Sequence, residues 1–257
     1  MQQESVRMTT TESVIEKKYR LAYKIDETPE VLTLEFDPED NKPLPFEPGM
    51  FVMISGIDSN NKSHVARAFS VASDPGSTRL ELYAVKQPHQ GTAAAHTSHF
   101  VEAKIGDEFI VKGPYGQFKF DPYKKDKVLY LAGGTGIAPF MSMLRHIKAL
   151  GTKNNVKLIY SVKYPSEIIR KAELQELSTQ IDLETFVTVT RPQQGDNWAG
   201  LTGHIDNIMI NKLVPDVLER MCYICGPPAF VQAVKMALYS LGVKPENVSA
   251  DVWDTGS

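Results

Sequence analysis

The sequence predicts two domains: an antiparallel β-barrel domain and, after it, an α/β domain built on a doubly wound parallel sheet. A chain of 257 residues has the length of two domains or of one large one. In its first half, short strand-like runs are separated by Pro and Gly turns, which is typical of a small antiparallel barrel. Beyond the charged segment Pro122–Lys127, strand-like and helix-like runs alternate, which indicates a parallel sheet. We therefore expect a disordered N-terminus over 1–15, the barrel over 16–123 and the α/β domain over 124–257.

The barrel strands are read from apolar runs, some of them alternating, that end at turn residues. Leu80, Leu82 and Tyr83 belong to such a run. A polar, helix-compatible segment, 91–102, precedes the last run. The predicted barrel strands lie at 19–26, 31–36, 50–57, 66–73, 79–86 and within 104–118.

Five strands and four helices are predicted in the α/β domain from the change between period 2 and period 3.6. The strands are Val128–Ala132, Val156–Val162, Leu183–Thr190, Met221–Cys225 and Val248–Trp253, and the helices are Ile137–Leu150, 166–178, 203–213 and Ala229–Leu241.

Composition and charge exclude several classes of protein. Hydrophobic residues make up 42% and charged residues 23%, as in ordinary globular domains. The net charge of −3 gives no support to nucleic-acid binding, which usually requires a basic face. The polar N-terminus is not a secretory signal, and two cysteines suit a reducing compartment. We expect a cytoplasmic protein that has no membrane span and binds no nucleic acid.

The stretch Val128–Leu150 carries a strand, a turn with three glycines and a helix. Such a turn lets the backbone approach a ligand, and the following helix start offers free N–H groups to an anion such as phosphate. No Gly-Lys-Ser/Thr follows, so the turn is not a kinase-type phosphate loop. An acidic residue about 20 positions on, as in the usual dinucleotide fingerprint, is also missing. The alternative is an ordinary strand–helix turn.

Four motifs in order, RAFSVAS, GPYGQF, GGTGIAP and CGPP, resemble those of the ferredoxin–NADP reductase superfamily. The resemblance covers about residues 16–253. It implies a flavin-binding barrel followed by a nicotinamide-nucleotide domain.

By this resemblance, three residues of the first motif bind the flavin. Arg67 would pair with the flavin phosphate, Phe69 would lie against the isoalloxazine ring, and Ser70 would bond near its N5 atom. The alternatives are a surface charge for Arg67 and a barrel core residue for Phe69.

Further residues are assigned near the flavin by their positions. Thr97 would bind the flavin phosphates, and Val85 and Lys86 would lie near the cofactor, although Lys86 could equally be a plain exposed lysine. His96 and His99 have no further ligands near them in sequence, so we expect solvated or helix-surface histidines and no metal site.

The resemblance assigns the nicotinamide nucleotide to two glycine loops and the chain's end. Cys225 would lie beside the nicotinamide C4 atom, the alternative being a buried free cysteine. Asp251 would assist proton movement, and Trp253 would shield the flavin face. The nucleotide would also contact Gly133, Gly134, Thr135, Gly136, Gly226 and Pro227.

Cys222 and Cys225 form a C-x-x-C pair, which invites a redox or zinc interpretation. Their setting is an apolar strand, where side chains three apart face opposite ways. We therefore do not expect them to act together.

The choice of nucleotide depends on the end of the strand 183–190. In NADPH-using relatives, a hydroxyl and an arginine at this place hold the 2′-phosphate, and Thr190 and Arg191 match them. Ser161 and Lys163 could add to that site. NADPH is therefore favoured over NADH, with a solvated Arg191 as the alternative.

Together these residues predict an FAD-dependent NAD(P)H oxidoreductase, with FMN the less favoured flavin. Ser70, Cys225 and Asp251 are its predicted catalytic residues. The acceptor would be a separate ferredoxin, flavodoxin or oxygenase component, or a small molecule. Two alternatives stay open: a flavin reductase that releases reduced flavin, and a non-catalytic electron-transfer or nucleotide-sensing subunit.

Overall fold

The computed structural model describes residues 14–57, 65–86, 99–124 and 126–252. Within these residues the chain forms two six-stranded sheets, one antiparallel and one parallel. This arrangement confirms the predicted fold class. The predicted disordered N-terminus lies outside the described residues up to position 13, and the first strand begins at Ile15.

The first sheet is a nearly closed antiparallel barrel. Its strands follow in the order β4-β3-β6-β1-β2-β5. A hydrogen bond from the Ala72 N–H to the Glu81 carbonyl, 2.9 Å long, links the chain after β4 to β5 at the remaining gap. The strands are β1 Ile15–Asp26, β2 Val31–Pro38, β3 Phe51–Gly56, β4 Arg67–Ser70, β5 Leu80–Val85 and β6 Glu108–Tyr115.

Strand β4 is shorter than the predicted 66–73 because the chain changes neighbours after Ser70. The Val71 N–H still donates to the Met50 carbonyl beside β3, whereas the next N–H, that of Ala72, donates to β5. The residues after Ser70 therefore cross from one edge strand to the other.

The second sheet is parallel and doubly wound, in the order β10-β9-β8-β7-β11-β12. Strand β7 is the first in sequence, and its two neighbours β8 and β11 lead to opposite sides. Its strands are β7 Lys127–Gly133, β8 Asn155–Val162, β9 Leu183–Val189, β10 Leu201–Thr202, β11 Met221–Gly226 and β12 Val248–Val252. The two-residue β10 was not predicted.

Helices cover both faces of this sheet. The first ends as expected at Gly151, which has φ +64° and donates its N–H to the last turn. The described helices of seven residues or more are α1 Ala138–Leu150, α2 Lys171–Gln180, α3 Asn207–Leu213 and α4 Pro228–Ser240.

Helix α2 begins later than the predicted 166–178. A 3₁₀ turn, Pro165–Glu167, comes first, and the chain then extends through the buried Ile168 and Ile169. Arg170 adopts the left-handed conformation, φ 52°, immediately before the helix. Its backbone N–H donates to Glu27 of the barrel at 2.8 Å, so a contact with the other domain accompanies the late start.

Cys222 and Cys225 lie on opposite faces of β11, as the strand geometry predicted. Cys222 packs with Leu129 and Ile224 on the face covered by α3 and α4, and Cys225 packs with Tyr130 on the other face. Both thiols are free and buried.

One buried apolar cluster extends across both domains. Ala72, Tyr83 and Phe118 of the barrel pack with Ile137 and Tyr130 of the α/β domain in a single buried cluster. None of the helices in the described ranges is long and apolar enough to cross a membrane.

Arg220 holds together the amino ends of three strands. It is 2% exposed, forms a two-bonded pair with Asp216 at 2.9 Å, and donates to the carbonyls of Val128 and Asn155. Arg220→Met leaves the Asp216 carboxylate and the two backbone carbonyls without their hydrogen-bond donor. We therefore expect a loss of about 3 kcal/mol in the free energy of unfolding, measured with urea. As a control, Lys127→Met removes an exposed partner of the same Asp216 and should leave the unfolding midpoint nearly unchanged. Equal effects of the two variants would contradict this account.

Candidate cofactor site at the domain interface

Two loops leave the carboxyl edge of the parallel sheet side by side. One follows β7 and forms the 3₁₀ turn Gly134–Ile137, and the other joins β11 to α4. Because β7 and β11 are neighbours at the point where the strand order reverses, this is the place where open α/β sheets bind ligands. The structure thus brings together the two predicted nucleotide loops.

The two loops meet through backbone atoms. A Cβ added to Gly136 would lie 2.3 Å from the carbonyl oxygen of Cys225 and 2.8 Å from the nitrogen of Gly226. Gly134 has φ +56°, a conformation that favours glycine. The approach therefore requires glycine at position 136, whereas the backbone conformation favours glycine at position 134. The turn leaves a backbone-lined edge suited to a pyrophosphate.

Phe230 is a site residue that the sequence reasoning missed. Its ring lies 3.0 Å from the Cβ position of Gly133 and 2.7 Å from that of Gly226, so it covers both glycines from the α4 side. The available signal was an apolar residue on the first turn of the helix that follows the CGPP motif. Pro227 precedes α4 directly, as its N-cap residue.

Cys225 and Asp251 are neighbours on adjacent parallel strands. Burial, and secondly the nearby Asp251, raises the pKa of the Cys225 thiol well above its ordinary value. Burial also raises the pKa of Asp251. The thiol is therefore protonated and suited to packing rather than nucleophilic attack, whereas the carboxyl is shifted toward a form that can donate a proton.

The predicted flavin residues lie on β4, next to β3. Arg67, Phe69 and Ser70 are all half-buried. The ring of Phe69 meets that of Phe100 edge to face, 5.1 Å between centroids, at the margin of the barrel core. Phe69 thus packs against the core, as its alternative assignment held, while part of it faces outward.

His99 is partly buried at the start of a helical turn, and its ring is packed rather than solvated. Its imidazole fills the space above Gly56, where an added Cβ would lie 1.5 Å from the histidine Nε2 atom. The ring also packs against Phe100 and Phe109, with centroids 5.8 and 5.6 Å away. A glycine on β3 therefore makes room for the histidine, which the histidine's own neighbours in sequence could not indicate. His96 lies outside the described residues.

Lys86 is engaged within the barrel. Its ammonium pairs with Asp26 at 2.7 Å and donates to the Thr28 carbonyl at 3.0 Å, while Val85 is half-buried at the end of β5. Two predicted site residues, Thr97 and Trp253, lie outside the described residues.

The carboxyl ends of β8 and β9 hold the residues assigned to nucleotide choice. The N–H groups of Thr190 and Arg191 donate to Val162 and Lys163, 2.9 Å each, and the Arg191 side chain is exposed. Glu167, which the sequence reasoning overlooked, folds back so that its carboxylate accepts the Lys163 N–H at 3.0 Å. An acid and an arginine thus lie near the same edge.

The closeness of Gly136 to Cys225 predicts different outcomes for two glycine variants. Gly136→Ala forces a methyl group onto backbone atoms and should strongly destabilise the domain. Gly134→Ala meets no atom within 4 Å and should cost only the left-handed backbone penalty, about 1 kcal/mol. Urea unfolding monitored by circular dichroism would compare them. A Gly136→Ala protein as stable as Gly134→Ala would contradict the close approach.

Because the pKa of Asp251 is raised, we expect Asp251→Asn to increase the thermal stability of the protein in a pH-dependent way. The folded-state pKa lies above the unfolded one, so the ionised carboxylate opposes folding as pH rises. The melting temperature of Asp251→Asn should therefore exceed that of the unaltered protein at pH 8, and the difference should shrink as the pH falls and the carboxyl is protonated. Thermal melts from pH 4 to 8 measure this, with the exposed Glu246→Gln as control. A difference independent of pH would contradict the shift.

Comparison with known families matches both halves of the chain. Residues 18–120 match an oxidoreductase FAD-binding domain, and residues 130–236 match an oxidoreductase NAD-binding domain. The barrel and the parallel sheet therefore correspond to the two cofactor-binding domains that the sequence motifs predicted.

Two kinds of curated relative are similar in sequence. The glycine betaine monooxygenase reductase subunit of Chromohalobacter salexigens is 31% identical over 242 residues, covering 89% of this chain and 65% of the relative. A component of the Na⁺-translocating NADH-quinone reductase of Psychrobacter arcticus is 29% identical over 215 residues, covering 79% of this chain and 51% of the relative. The chain thus spans between half and two thirds of the length of these relatives.

The fold is shared with solved structures, including the following two. A ferredoxin reductase of carbazole 1,9a-dioxygenase has a TM-score of 0.79 at 24% identity, over 94% of this chain and 70% of the other. A ferredoxin NADP⁺ reductase from Neisseria gonorrhoeae with bound FAD and NADP has a TM-score of 0.75 at 22% identity, over 92% and 98%. With an FAD-binding barrel, an NAD-binding parallel sheet and the motifs between them in order, the chain belongs to the ferredoxin–NADP reductase superfamily.

Proposed function

We propose that this chain is an NAD(P)H-dependent flavoprotein reductase that passes electrons to a separate acceptor. The observation that carries the proposal is the contact between the two domains at the cofactor edge. Strand β5 of the barrel lies against the 3₁₀ turn Gly134–Ile137, and Ala72, two residues after Ser70, is in the core shared with Ile137. The predicted flavin strand and nucleotide loop therefore belong to one interface.

The residues present fit both cofactors. The approach of Gly136 to Cys225 leaves backbone atoms, without side chains, at the predicted pyrophosphate edge. Half-buried Arg67 and Ser70 offer a guanidinium and a hydroxyl on β4, as a flavin phosphate and a ring nitrogen require. Bound FAD would supply the redox chemistry, since it accepts a hydride and releases electrons singly.

Each of the three proposed catalytic residues has a defined task at this edge. Ser70 orients the flavin through a hydrogen bond. Cys225, whose thiol stays protonated, fills the space beside the nicotinamide without adding charge. Asp251, whose pKa is raised by burial, is the residue proposed to exchange a proton. Thr97 and Trp253 keep their proposed roles on the flavin phosphates and the flavin face.

We propose a protein acceptor of the ferredoxin, flavodoxin or oxygenase-component type. Its support is that the relatives named above include a monooxygenase reductase subunit and a dioxygenase ferredoxin reductase. The proposed setting is the cytoplasm, where two free cysteines stay reduced.

The proposed donor is NADPH, held at its 2′-phosphate by Thr190 and exposed Arg191. The nearby Glu167 argues for the other nucleotide, because a carboxylate at this place can accept hydrogen bonds from the ribose hydroxyls of NADH.

Anaerobic absorbance titration of the purified, FAD-loaded protein tests this function. NADPH or NADH, added separately, should bleach the flavin band at near-stoichiometric amounts, and the more effective nucleotide identifies the donor. Flavin lost on gel filtration would favour the flavin reductase that releases its product. Retained flavin that neither nucleotide bleaches would overturn the proposal and leave a non-catalytic subunit.

A further inference from the structure

Six charged residues form an ion network between the two domains, away from the cofactor edge. We call it the interdomain network. Its members are Glu27, Glu35 and Glu81 of the barrel and Arg145, Arg170 and Glu173 of the α/β domain.

Glu81 is the centre of the interdomain network. Its side chain is 11% exposed and contacts Arg145 at 3.0 Å and Arg170 at 3.0 Å, both from the other domain. Tyr83, two residues along β5, donates its hydroxyl to the same carboxylate at 2.8 Å. Charges this far from water need such complete pairing, because a buried carboxylate without partners is costly.

Arg145 joins helix α1 to the chain that leaves the flavin strand. Its Nε and Nη2 atoms bond both oxygens of Glu173 at 2.6 and 2.7 Å, a planar two-bonded pair. The remaining Nη1 atom donates to the Ala72 carbonyl at 2.8 Å as well as contacting Glu81. A guanidinium can meet all these acceptors at once, which an ammonium cannot.

The next residue of α1, His146, also contacts the segment that follows the flavin strand. The Nδ1 atom of His146 lies 2.8 Å from the carboxylate of Asp74, two residues after Ala72. Helix α1 therefore holds the segment 72–74 at two points. At its other end, about 12 Å away along the helix axis, α1 begins next to the nucleotide turn.

We propose that Arg145 is a positioning residue for hydride transfer. Through α1 it fixes the nucleotide turn Gly134–Ile137, and through Ala72 and Glu81 it fixes the segment that follows Ser70. It would thus set the relative position of the two cofactors although it lies beside neither. This inference rests on the proposed function and adds a residue to it that none of the sequence motifs contains.

The variant Arg145→Met keeps a side chain of similar length and removes every hydrogen bond and ion pair of the guanidinium. Single-turnover flavin reduction at saturating nucleotide, followed by anaerobic stopped flow, should slow about 10- to 100-fold, the loss that a misplacement of about 1 Å produces. The Kd values for FAD and nucleotide should stay within about threefold, since Arg145 contacts neither. Arg145→Lys keeps the positive charge but cannot bond both oxygens of Glu173 at once. Its rate of flavin reduction should lie between the rates of Arg145→Met and the unaltered protein.

Arg79→Met is the matched control. Arg79 is also a part-buried arginine, and its guanidinium contacts Asp37, Glu35 and the ring of Tyr23, all within the barrel. It therefore shares Glu35 with the interdomain network, where Arg170 is the other partner of Glu35, but none of these contacts of Arg79 joins the two domains. Its removal should leave the reduction rate unchanged. A normal rate in Arg145→Met, or equal slowing in Arg79→Met, would overturn the proposal.

Hydrogen exchange of the FAD-loaded protein provides a readout that needs no activity. Exchange at the amides of 71–74 and at the second half of α1 should increase in Arg145→Met and not in Arg79→Met. Unchanged exchange would overturn the positioning role by itself. Failure of the unaltered protein to be reduced would instead refute the proposed function, and the exchange comparison would still decide whether Arg145 holds the segment.

Discussion

The approach of Gly136 to the carbonyl of Cys225 is the constraint on which the nucleotide edge depends. With 2.3 Å between that oxygen and the place of a Cβ, the two loops can meet only where one of them has no side chain. The approach also requires β7 and β11 to be neighbours although about 90 residues separate them in sequence. The doubly wound strand order provides this, so topology and local glycine chemistry serve the same edge.

A second requirement is that the barrel be held against this edge, and two kinds of contact do so. Strand β5 has no water-facing side: Leu80, Leu82 and Ala84 fill the barrel core, while Glu81 and Tyr83 face the α/β domain. The apolar part of the interface supplies most of the attraction and is tolerant of small shifts. The paired charges are directional, because each arginine fork fits its carboxylates in one arrangement. Apolar burial thus joins the domains, and the ion network fixes their orientation.

The sequence was sufficient to predict the fold class and the positions of the two glycine loops in the chain, because both depend on local patterns. Period and turn residues located the strands, and the cluster of three glycines between a strand and a helix marked a place where the backbone can approach another group. The interdomain network was beyond reach for the opposite reason. Glu81, Arg145 and Arg170 are far apart in the chain, and each looks like an ordinary charge on a strand or helix. Only the tertiary arrangement buries them, and the same holds for His99, whose space is provided by Gly56 on a distant strand.

The predicted roles of Cys225 and Asp251 gain a physical reason from burial on adjacent strands. Both pKa values are raised, so both groups are shifted toward neutral forms beside the place assigned to the nicotinamide ring. A fixed negative charge there would stabilise the oxidised ring, which carries a positive charge, and would bias the hydride equilibrium toward it. The protonated Cys225 thiol adds no such charge, and the raised pKa of the Asp251 carboxyl makes its charged form less favoured there. Asp251 is the half-buried member of the pair, so it, rather than the fully buried thiol, can exchange its proton with water.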